Sequence, residues 1–566
     1  MEISIVKILY SFLNWCRLRL SLLLIIFVYI SLFFYFINRG LNYIDEGYIL
    51  QGVQRIFNGQ KPYKDFDTQV TPGTFYLQYI LMKIFGKEII IGRVWVMLEG
   101  ILILIILYYL GQIYLSFPFS LLPSVLYIFW GPIHHPLPFY SYDSLFFSIL
   151  SFFFLIKNMR IYSLVAGFFA FISFFFKQNT GLASLIIGNL IIFSNKSNKK
   201  SNLIFYWSGV LLGIILSIYL FISQDILYPF LKTIFIIPFK AIFLKNAPIS
   251  YIGFNKFPLP GGKGKIFWFS FFSIIIGFYM KKRKEKKFKI SNKYLFYLIL
   301  FACMGIGIFQ LLKEEQNTFI FRTTNSFIKS FLTTFPLIYL FFSFFCSENV
   351  NYRKNLLPIF LYNLIYIPFG LLMGEDFIHF LYILPVSLIG FVIVVESIDF
   401  EKKFFWLIII FISFWGLVNA VQNTSQRFAY GPIYRQNELL LTDFSKKIRV
   451  EKLIKEDYEF IVNFVKNNTS IDENIFVWGT DPILNFLFNR PSPSKYILFA
   501  FTDHNFENDT ISQLKTKNVR YIIERISNPY NPFFKDLKKF AQICKFIEKN
   551  YKIKYNLNCF NILEKK

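Results

Sequence analysis

The sequence predicts a mainly α-helical, polytopic membrane protein with about 13 transmembrane helices and a small α/β domain at its C-terminal end. Of the 566 residues, 55% are hydrophobic and 17% are charged, whereas soluble domains average about 45–50% and about 25%. The mean hydropathy is +0.48, and the hydrophobic residues fall in separate runs that approach the roughly 20 residues needed to cross a bilayer. This composition excludes a disordered chain, a collagen and a disulfide-stapled miniprotein.

Thirteen apolar runs are predicted to span the membrane. The first run is not followed by a small-residue cleavage site, so we interpret it as a membrane anchor and not as a signal peptide. The runs lie near 19–38, 89–110, 117–131, 143–156, 161–176, 181–194, 202–222, 266–280, 294–312, 327–346, 355–372, 380–396 and 404–421.

The basic residues between the runs predict the orientation of the chain. If the N-terminus is cytoplasmic, Lys and Arg are more than twice as dense in the cytoplasmic segments, which include the basic run 281–293, as in the opposite segments. The positive-inside rule therefore favours a cytoplasmic N-terminus. An odd number of spans then places 39–88, 223–265 and the C-terminal residues outside the cytoplasm.

Two domains follow from the change in composition after the last span. Residues 1–421 form a multi-span membrane domain, and residues 422–566 form an extracytoplasmic domain in which predicted helices and strands alternate, as in a small α/β domain. The predicted helices lie near 443–468, 508–517 and 533–549, and the predicted strands are 474–478, 519–524 and 551–563. This domain carries no nucleotide-binding or hydrolase motif, so we interpret it as a lid or an acceptor-binding domain.

Composition and spacing limit the partners and cofactors. The net charge is +26, but no soluble segment combines a basic stripe with aromatic residues, so no nucleic-acid binding is predicted. No Cys or His residues have metal-ligand spacing, and the adjacent pair His134-His135 is weak support for a metal. Cys544 and Cys559 form either a disulfide or two free thiols.

The first external loop, 39–88, carries the residues that point to chemistry. Asp45-Glu46 follows the first span directly, and two adjacent carboxylates at a membrane face are costly unless they are used or paired. The segments 46–58 and 74–85 have apolar residues at helical spacing, and the first of them suits a helix lying on the membrane surface. Arg93 then enters the second span.

The order of these motifs resembles the GT-C glycosyltransferases that use polyprenyl-phosphate sugars. The shared order is a span, Asp-Glu, a short helix, Asn-Gly-x-x-Pro-Tyr, acidic residues, Pro-Gly, an aromatic helix, Phe-Gly and then Arg at the start of a span. Three further motifs match, namely Tyr142-Asp143, Lys177-Gln178-Asn179-Thr180-Gly181 and His379 to Pro385. The superfamily includes protein O-mannosyltransferases, aminoarabinose lipid A transferases and lipopolysaccharide transferases.

The resemblance implies roles for six residues. Asp45 would be the base that takes the acceptor proton, and Glu46 would orient the acceptor or pair with a cation. Arg93, Lys177 and His379 would contact the donor phosphate, and Asp143 would be a second active-site carboxylate.

Each of these residues also has a structural interpretation. One carboxylate of Asp45-Glu46 could be the N-cap of the surface helix, and Asp143 that of its own helix. Arg93 could extend to the membrane interface, and Lys177 and His379 could be ordinary loop residues. Glu99, in the middle of a predicted span, is the least explained residue, and its expected partner is a Lys or Arg of another span.

The resemblance also implies the partners and the place of the reaction. The donor would be a polyprenyl-phosphate-linked sugar in the bilayer, and the acceptor a hydroxyl of a lipid, a glycan or a protein of the cell envelope. The sugar would invert at its anomeric carbon on the extracytoplasmic face of a bacterial plasma membrane. The cofactor is unknown, and the residues do not indicate a divalent metal.

Three other functions compete with a transferase. A transporter or flippase of lipid-linked glycans predicts two matching halves, and the sequence shows no such repeat. A surface-polysaccharide polymerase or ligase would place its Arg and His residues in a late external loop, whereas the acidic motif here is in the first. A structural membrane scaffold would not need Asp45-Glu46.

Overall fold

The computed structural model describes residues 2–194, 198–237, 332, 357–366, 377–397, 402–422, 435–479, 481–498, 506–527 and 540–566. The membrane domain in this part of the chain is helical, and the C-terminal residues form a small domain around a mixed sheet. Apart from Leu332, the predicted spans 266–280, 294–312 and 327–346 lie outside the described residues, as does much of the predicted external segment 223–265.

The helices of the first half follow the predicted apolar runs closely. They are α1 (Glu2–Phe36), α2 (Asp45–Phe57), α3 (Gly73–Phe85), α4 (Ile89–Tyr114), α5 (Leu122–Trp130), α6 (Tyr140–Ile156), α7 (Arg160–Phe176), α8 (Gln178–Ser194), α9 (Lys199–Ser223) and α10 (Leu227–Leu231). A short π-helix, Lys232–Ile236, continues α10. Later in the chain come α11 (Leu357–Tyr366), α12 (Phe377–Ser397) and α13 (Lys402–Gln422).

Three of the described helices are long and apolar enough to cross a membrane. They are Arg17–Phe36 within α1, the 26-residue α4 and the 25-residue α9. Several of the other apolar helices have 17 residues or fewer, because polar turns such as Lys157-Asn158 divide the apolar sequence into short pieces.

Small residues allow close packing among the membrane helices. A Cβ atom on Gly167 of α7 would lie 1.9 Å from the carbonyl oxygen of Tyr206 on α9, and one on Gly209 of α9 would lie 2.0 Å from that of Leu164. Backbones that approach this closely gain van der Waals contact, which is a main source of stability between helices in lipid.

The C-terminal domain contains a four-stranded sheet with the order β3-β4-β6-β5. Strand β3 (Phe476–Trp478) is parallel to β4 (Tyr521–Arg525), and β6 (Phe560–Lys565) is antiparallel to both β4 and β5 (Tyr551–Asn556). Its helices are α14 (Lys452–Asn468), α15 (Ile483–Phe488), α16 (Phe506–Thr516) and α17 (Ala541–Asn550). Cys544 and Cys559 are both free thiols.

The predicted helix 443–468 is too long at its start. Arg449–Val450 is a strand, β2, that pairs antiparallel with β1 (Glu438–Leu439), and the helix begins only at Lys452. Strand β2 also pairs with the segment that follows α1. Arg449 N–H donates to the Asn38 carbonyl at 2.7 Å, and Gly40 N–H donates to the Arg449 carbonyl at 2.9 Å. A partner more than 400 residues away therefore decides the local structure.

The C-terminal domain and the first external loop share one hydrophobic core. Leu50 and Val53 of α2 and Phe75 of α3 are buried in the same cluster as Tyr458 of α14 and Ile483 of α15. A Cβ atom on Gly47 would lie 2.8 Å from the Ile483 nitrogen, so only glycine fits where α2 crosses α15. One face of α2, the helix predicted to lie on the membrane surface, is thus covered by the C-terminal domain.

Candidate functional site

Asp45 is the first residue of α2, but its side chain does not cap the helix. Asn42 does so instead, because its Oδ1 accepts hydrogen bonds from the N–H groups of Asp45 at 2.7 Å and Ile44 at 3.1 Å. Asn42 Nδ2 also donates to Asp45 Oδ2 at 3.3 Å. The side chain of Asp45 keeps 19% of its surface exposed, so it remains partly accessible.

Glu46 is bound to Arg93 and is completely buried. Arg93 donates from Nε and Nη2 to the two carboxylate oxygens of Glu46 at 2.8 and 2.7 Å. The same guanidinium donates to the carbonyls of Ile37 at 2.9 Å and Gly40 at 2.7 Å. A bidentate pair of this kind has a fixed geometry, so it joins the end of α1, the start of α2 and the start of α4.

His135 faces Asp45 from the loop between α5 and α6. Its Nε2 lies 3.9 Å from Asp45 Oδ2, and its imidazole is fully buried between the rings of Phe139 and Tyr142. Neither ring nitrogen has a hydrogen-bond partner among the described residues. The neighbouring His134 differs, because its Nε2 bonds to the Phe129 carbonyl oxygen at 2.9 Å.

Asp143 lies in the first turn of α6 and is held by two neutral donors. Trp95 Nε1 donates to its Oδ1 at 3.0 Å, and the Thr74 hydroxyl donates to its Oδ2. Glu99, one turn beyond Trp95 on α4, is also buried, and its two oxygens meet no hydrogen-bond donor among the described residues. The side chains of Asp143 and Glu99 interact with each other, so Glu99 faces this site, and in the described part of the chain it forms no ion pair with a basic residue.

Lys177 lies in the turn between α7 and α8, and its side chain enters the same region. Its Nζ donates to Ser141 Oγ at 2.7 Å and lies 5.4 Å from the ring centroid of Tyr140. Ser141 and Asp143 both lie in the first turn of α6, so Lys177 and Asp143 are both held at the start of this helix. His379 lies in α12, and its side chain is outside the described residues.

The segment 131–143 connects the predicted site residues. It carries His135 towards Asp45 at one end and Asp143 towards Thr74 and Trp95 at the other. Asn42, Thr74 and Trp95 are not predicted as site residues from the sequence. Only Asn42 had a recognisable signal, namely an amide side chain three residues before the first acidic residue of a helix.

The side of α2 that faces away from the membrane helices is fixed by the C-terminal domain. Gln51 Nε2 donates to Asn485 Oδ1 at 3.1 Å, Gln54 Nε2 donates to Asn489 Oδ1 at 2.8 Å, and Arg55 Nη2 donates to the Ser494 carbonyl. These polar side chains are buried, and each of them donates a hydrogen bond to an oxygen of the C-terminal domain.

A buried ion pair of the C-terminal domain reaches the residues before Asp45. Arg525 binds both carboxylate oxygens of Asp481 at 2.5 Å, and its guanidinium lies 4.6 Å from the ring centroid of Tyr43. Tyr458 donates to the same carboxylate at 2.6 Å. The position of the Asp45 segment thus depends on both domains.

Lys87 gives this interface a dependence on pH. Its ammonium donates to Gln54 Oε1 and Asn489 Oδ1 and lies over the rings of Phe444 and Phe486. Burial lowers the pKa of Lys87 to about 8, below its value of about 10.4 in an unfolded chain. Between these two values the unfolded state binds more protons, so the free energy of unfolding increases as the pH rises.

We therefore expect Lys87→Met to remove this increase. The thermal midpoint of the wild type should rise relative to that of the variant when the pH is raised from 7 to 9, as measured by thermal unfolding in detergent. Lys83→Met, at an exposed position of α3, is the control and should follow the wild type. A constant difference between wild type and Lys87→Met at all pH values would contradict the expectation.

No metal site is evident in the described part of the chain. No three side chains of His, Cys, Asp or Glu are grouped there so that they could hold an ion. Asp45 and His135 lie close to each other, but two side chains are fewer than the three that such a group requires.

Comparison with known proteins shows what the fold is. No protein-family model and no curated protein matches the chain. Among solved structures, it is similar to the archaeal oligosaccharyltransferase AglB from Archaeoglobus fulgidus, in complex with an inhibitory peptide and a dolichol-phosphate. That match has a TM-score of 0.54 and 12% sequence identity, and it covers 98% of this chain and 75% of AglB.

A second solved structure matches over the whole length of both proteins. It is ArnT from Cupriavidus metallidurans bound to undecaprenyl phosphate, with a TM-score of 0.49, 9% identity and coverage of 97% of this chain and 98% of ArnT. At such identities only the overall fold is comparable, and the first match, at a TM-score of 0.54, establishes it. The chain therefore has the fold of the oligosaccharyltransferase AglB, which is the GT-C fold that the motifs of the first external loop predict.

Proposed function

We propose that the protein is a membrane glycosyltransferase that moves a sugar from a polyprenyl phosphate to a hydroxyl group of a lipid, a glycan or a protein. The observation that carries the proposal is the division of labour within Asp45-Glu46. Glu46 is used to hold Arg93, whereas the side chain of Asp45 does not cap α2, is partly exposed and lies next to the buried imidazole of His135. The GT-C fold, shared with an enzyme whose structure contains a dolichol-phosphate, supports the same class of donor.

The reaction requires a base and does not require an acid. The phosphate of the donor is a good leaving group, so the barrier lies in making the acceptor oxygen nucleophilic. In our proposal Asp45 takes the proton of the acceptor O–H while that oxygen attacks the anomeric carbon. The bond from this carbon to the phosphate oxygen breaks, the phosphate leaves with the electron pair, and this single displacement inverts the anomeric carbon.

In our proposal Lys177 meets the phosphate of the donor. It is a buried cation held by a neutral hydroxyl, Ser141, and a cation in a site of low dielectric constant stabilises a developing phosphate charge strongly. His379 stays a second candidate. Arg93 is bound to Glu46, so we propose that it positions the loop, and Asp143 is proposed as the second carboxylate of the site.

The proposed location is the extracytoplasmic face of a bacterial plasma membrane, with the N-terminus in the cytoplasm. The positive-inside rule supports this orientation. Asp45 follows the first span directly and the C-terminal domain packs on the same loop, so both must lie on one side of the membrane. The acceptor would then belong to the cell envelope.

The first experiment tests the reaction. Purified protein in lipid vesicles is supplied with radiolabelled polyprenyl-phosphate sugars and an envelope extract that contains lipid and protein acceptors. We expect label to move from the donor to a product whose anomeric configuration is the opposite of that in the donor. Retained configuration would contradict a single displacement.

The second experiment tests the side of the membrane. In a variant whose five cysteines are replaced by serine, Asp45→Cys introduces a single thiol next to α1. We expect membrane-impermeant thiol reagents to label it from the extracytoplasmic side only. A cysteine at Lys157, in a turn predicted to be cytoplasmic, is the matched control. Labelling of the Asp45→Cys thiol from the cytoplasmic side alone would overturn the proposed arrangement.

A further inference from the structure

The fully buried imidazole of His135 requires an explanation because neither of its nitrogens is satisfied. Burying a polar group without a hydrogen bond costs on the order of 1–3 kcal/mol, so such a group usually has a partner in the working state of the protein. The described polar group that its Nε2 faces is Asp45 Oδ2, at 3.9 Å. This distance is about 1 Å longer than an N–H···O hydrogen bond.

The position of the imidazole distinguishes the two oxygens of Asp45. Asn42 Nδ2 already donates to Oδ2, and His135 Nε2 faces that same oxygen. Two donors on Oδ2 would fix the rotation of the carboxylate and would leave Oδ1 for the acceptor hydroxyl. Hydrogen bonds at catalytic groups are often long before the substrate binds and shorten in the complex, so the gap of about 1 Å is compatible with this role.

We propose that His135 is a positioning residue that donates its Nε2–H to Asp45 Oδ2, so that Oδ1 is the oxygen that takes the acceptor proton. This inference rests on the proposed function of Asp45 and adds a residue to it. The rings of Phe139 and Tyr142 hold the imidazole in place. His135 itself does not contact the reacting atoms.

Substitution of His135 tests the role kinetically. His135→Phe keeps an aromatic ring between Phe139 and Tyr142 but has no donor, and we expect kcat to fall about 10²-fold, since a misplacement of 1 Å has an effect of that order. KM should change little, because His135 does not bind the substrate. His135→Gln offers an amide Nε2 at a similar reach and should restore most of the lost kcat.

His134→Gln is the matched control. His134 is adjacent, also buried and also aromatic, but its partner is the Phe129 carbonyl oxygen, so its substitution should leave kcat near that of the wild type. The inference is overturned if His135→Phe keeps full kcat, or if His135→Gln is no better than His135→Phe. If transfer requires Asp45 but not His135, only this inference fails, and the proposed function stands.

A spectroscopic experiment tests the contact without any substrate. Only four histidines occur in the chain, so His134→Gln, His379→Gln and His504→Gln together leave His135 as the single histidine. With ¹⁵N-labelled histidine in lipid bilayers, Asp45→Asn should change the Nε2 resonance, because Asp45 Oδ2 lies 3.9 Å from that nitrogen. A spectrum that Asp45→Asn does not alter would show that the two side chains do not interact, whatever the enzyme transfers.

Discussion

Asp45→Asn is expected to lower sugar transfer by about 10²- to 10⁴-fold, the range that a positioned general base contributes. The amide has the shape of the carboxylate but cannot take a proton from the acceptor. The fold should tolerate the change, since Asn42 and not Asp45 caps α2 and the side chain is partly exposed. Transfer from a radiolabelled polyprenyl-phosphate sugar, compared at equal amounts of folded protein, measures the effect.

Asp65→Asn is the matched control for this prediction. Asp65 lies in the same loop, 39–88, and accepts a hydrogen bond from the Lys61 N–H at 2.7 Å. The same change of charge at this position should leave transfer close to that of the wild type. Equal activity of wild type and Asp45→Asn would remove Asp45 from the mechanism.

The second large effect is expected from the Glu46–Arg93 pair. Arg93→Met leaves the fully buried carboxylate of Glu46 without its partner, and breaking a buried ion pair in this way costs about 3–5 kcal/mol. The variant also removes the donor that holds the Ile37 and Gly40 carbonyls at the end of α1. We expect a marked fall in the thermal midpoint and in the yield of monodisperse protein in detergent.

The double variant Glu46→Gln/Arg93→Met shows which part of the stability lost in Arg93→Met is electrostatic. It has no buried unpaired charge, so it should recover part of the loss, but not all, because the two carbonyls still lack a donor. Lys447→Ala is the control, since it breaks the exposed Lys447–Glu88 pair, at 3.4 Å, and surface pairs contribute about 0–1 kcal/mol. If Arg93→Met were as stable as Lys447→Ala, the pair would not hold the loop.

Hydrophobic periodicity was sufficient to find most of the described helices. The predictions at 46–58 and 74–85 match α2 and α3 within one residue at each end, because one face of each helix is apolar and the flanking Gly and Pro residues end it. The periodicity could not show which protein surface covers the polar face of α2. That depends on Asn485 and Asn489, which have no recognisable relation to α2 in the sequence.

The residues of the site were only partly predictable. Adjacent carboxylates at a membrane edge identified Asp45 and Glu46, but their different roles depend on Arg93, whose guanidinium reaches Glu46 across 47 positions of the chain. His135 stood in a pair of histidines that suggested a metal only weakly. The proposed role of His135 rests on its burial and on the lack of a hydrogen-bond partner in the described structure. Neither property can be predicted from the neighbouring residues of the sequence.

The link between strand β2 and the end of α1 has a consequence for biosynthesis. A ribosome makes the Asp45 segment early, but Arg449, Asn485 and Asn489, which fix its backbone and its outer face, emerge roughly 400 residues later. Until they have been made, Gln51 and Gln54 of the nascent loop lack the amides that bind them in the folded protein. Under the proposed function, a nascent chain would therefore transfer no sugar until its C-terminal domain has folded against the loop that carries Asp45.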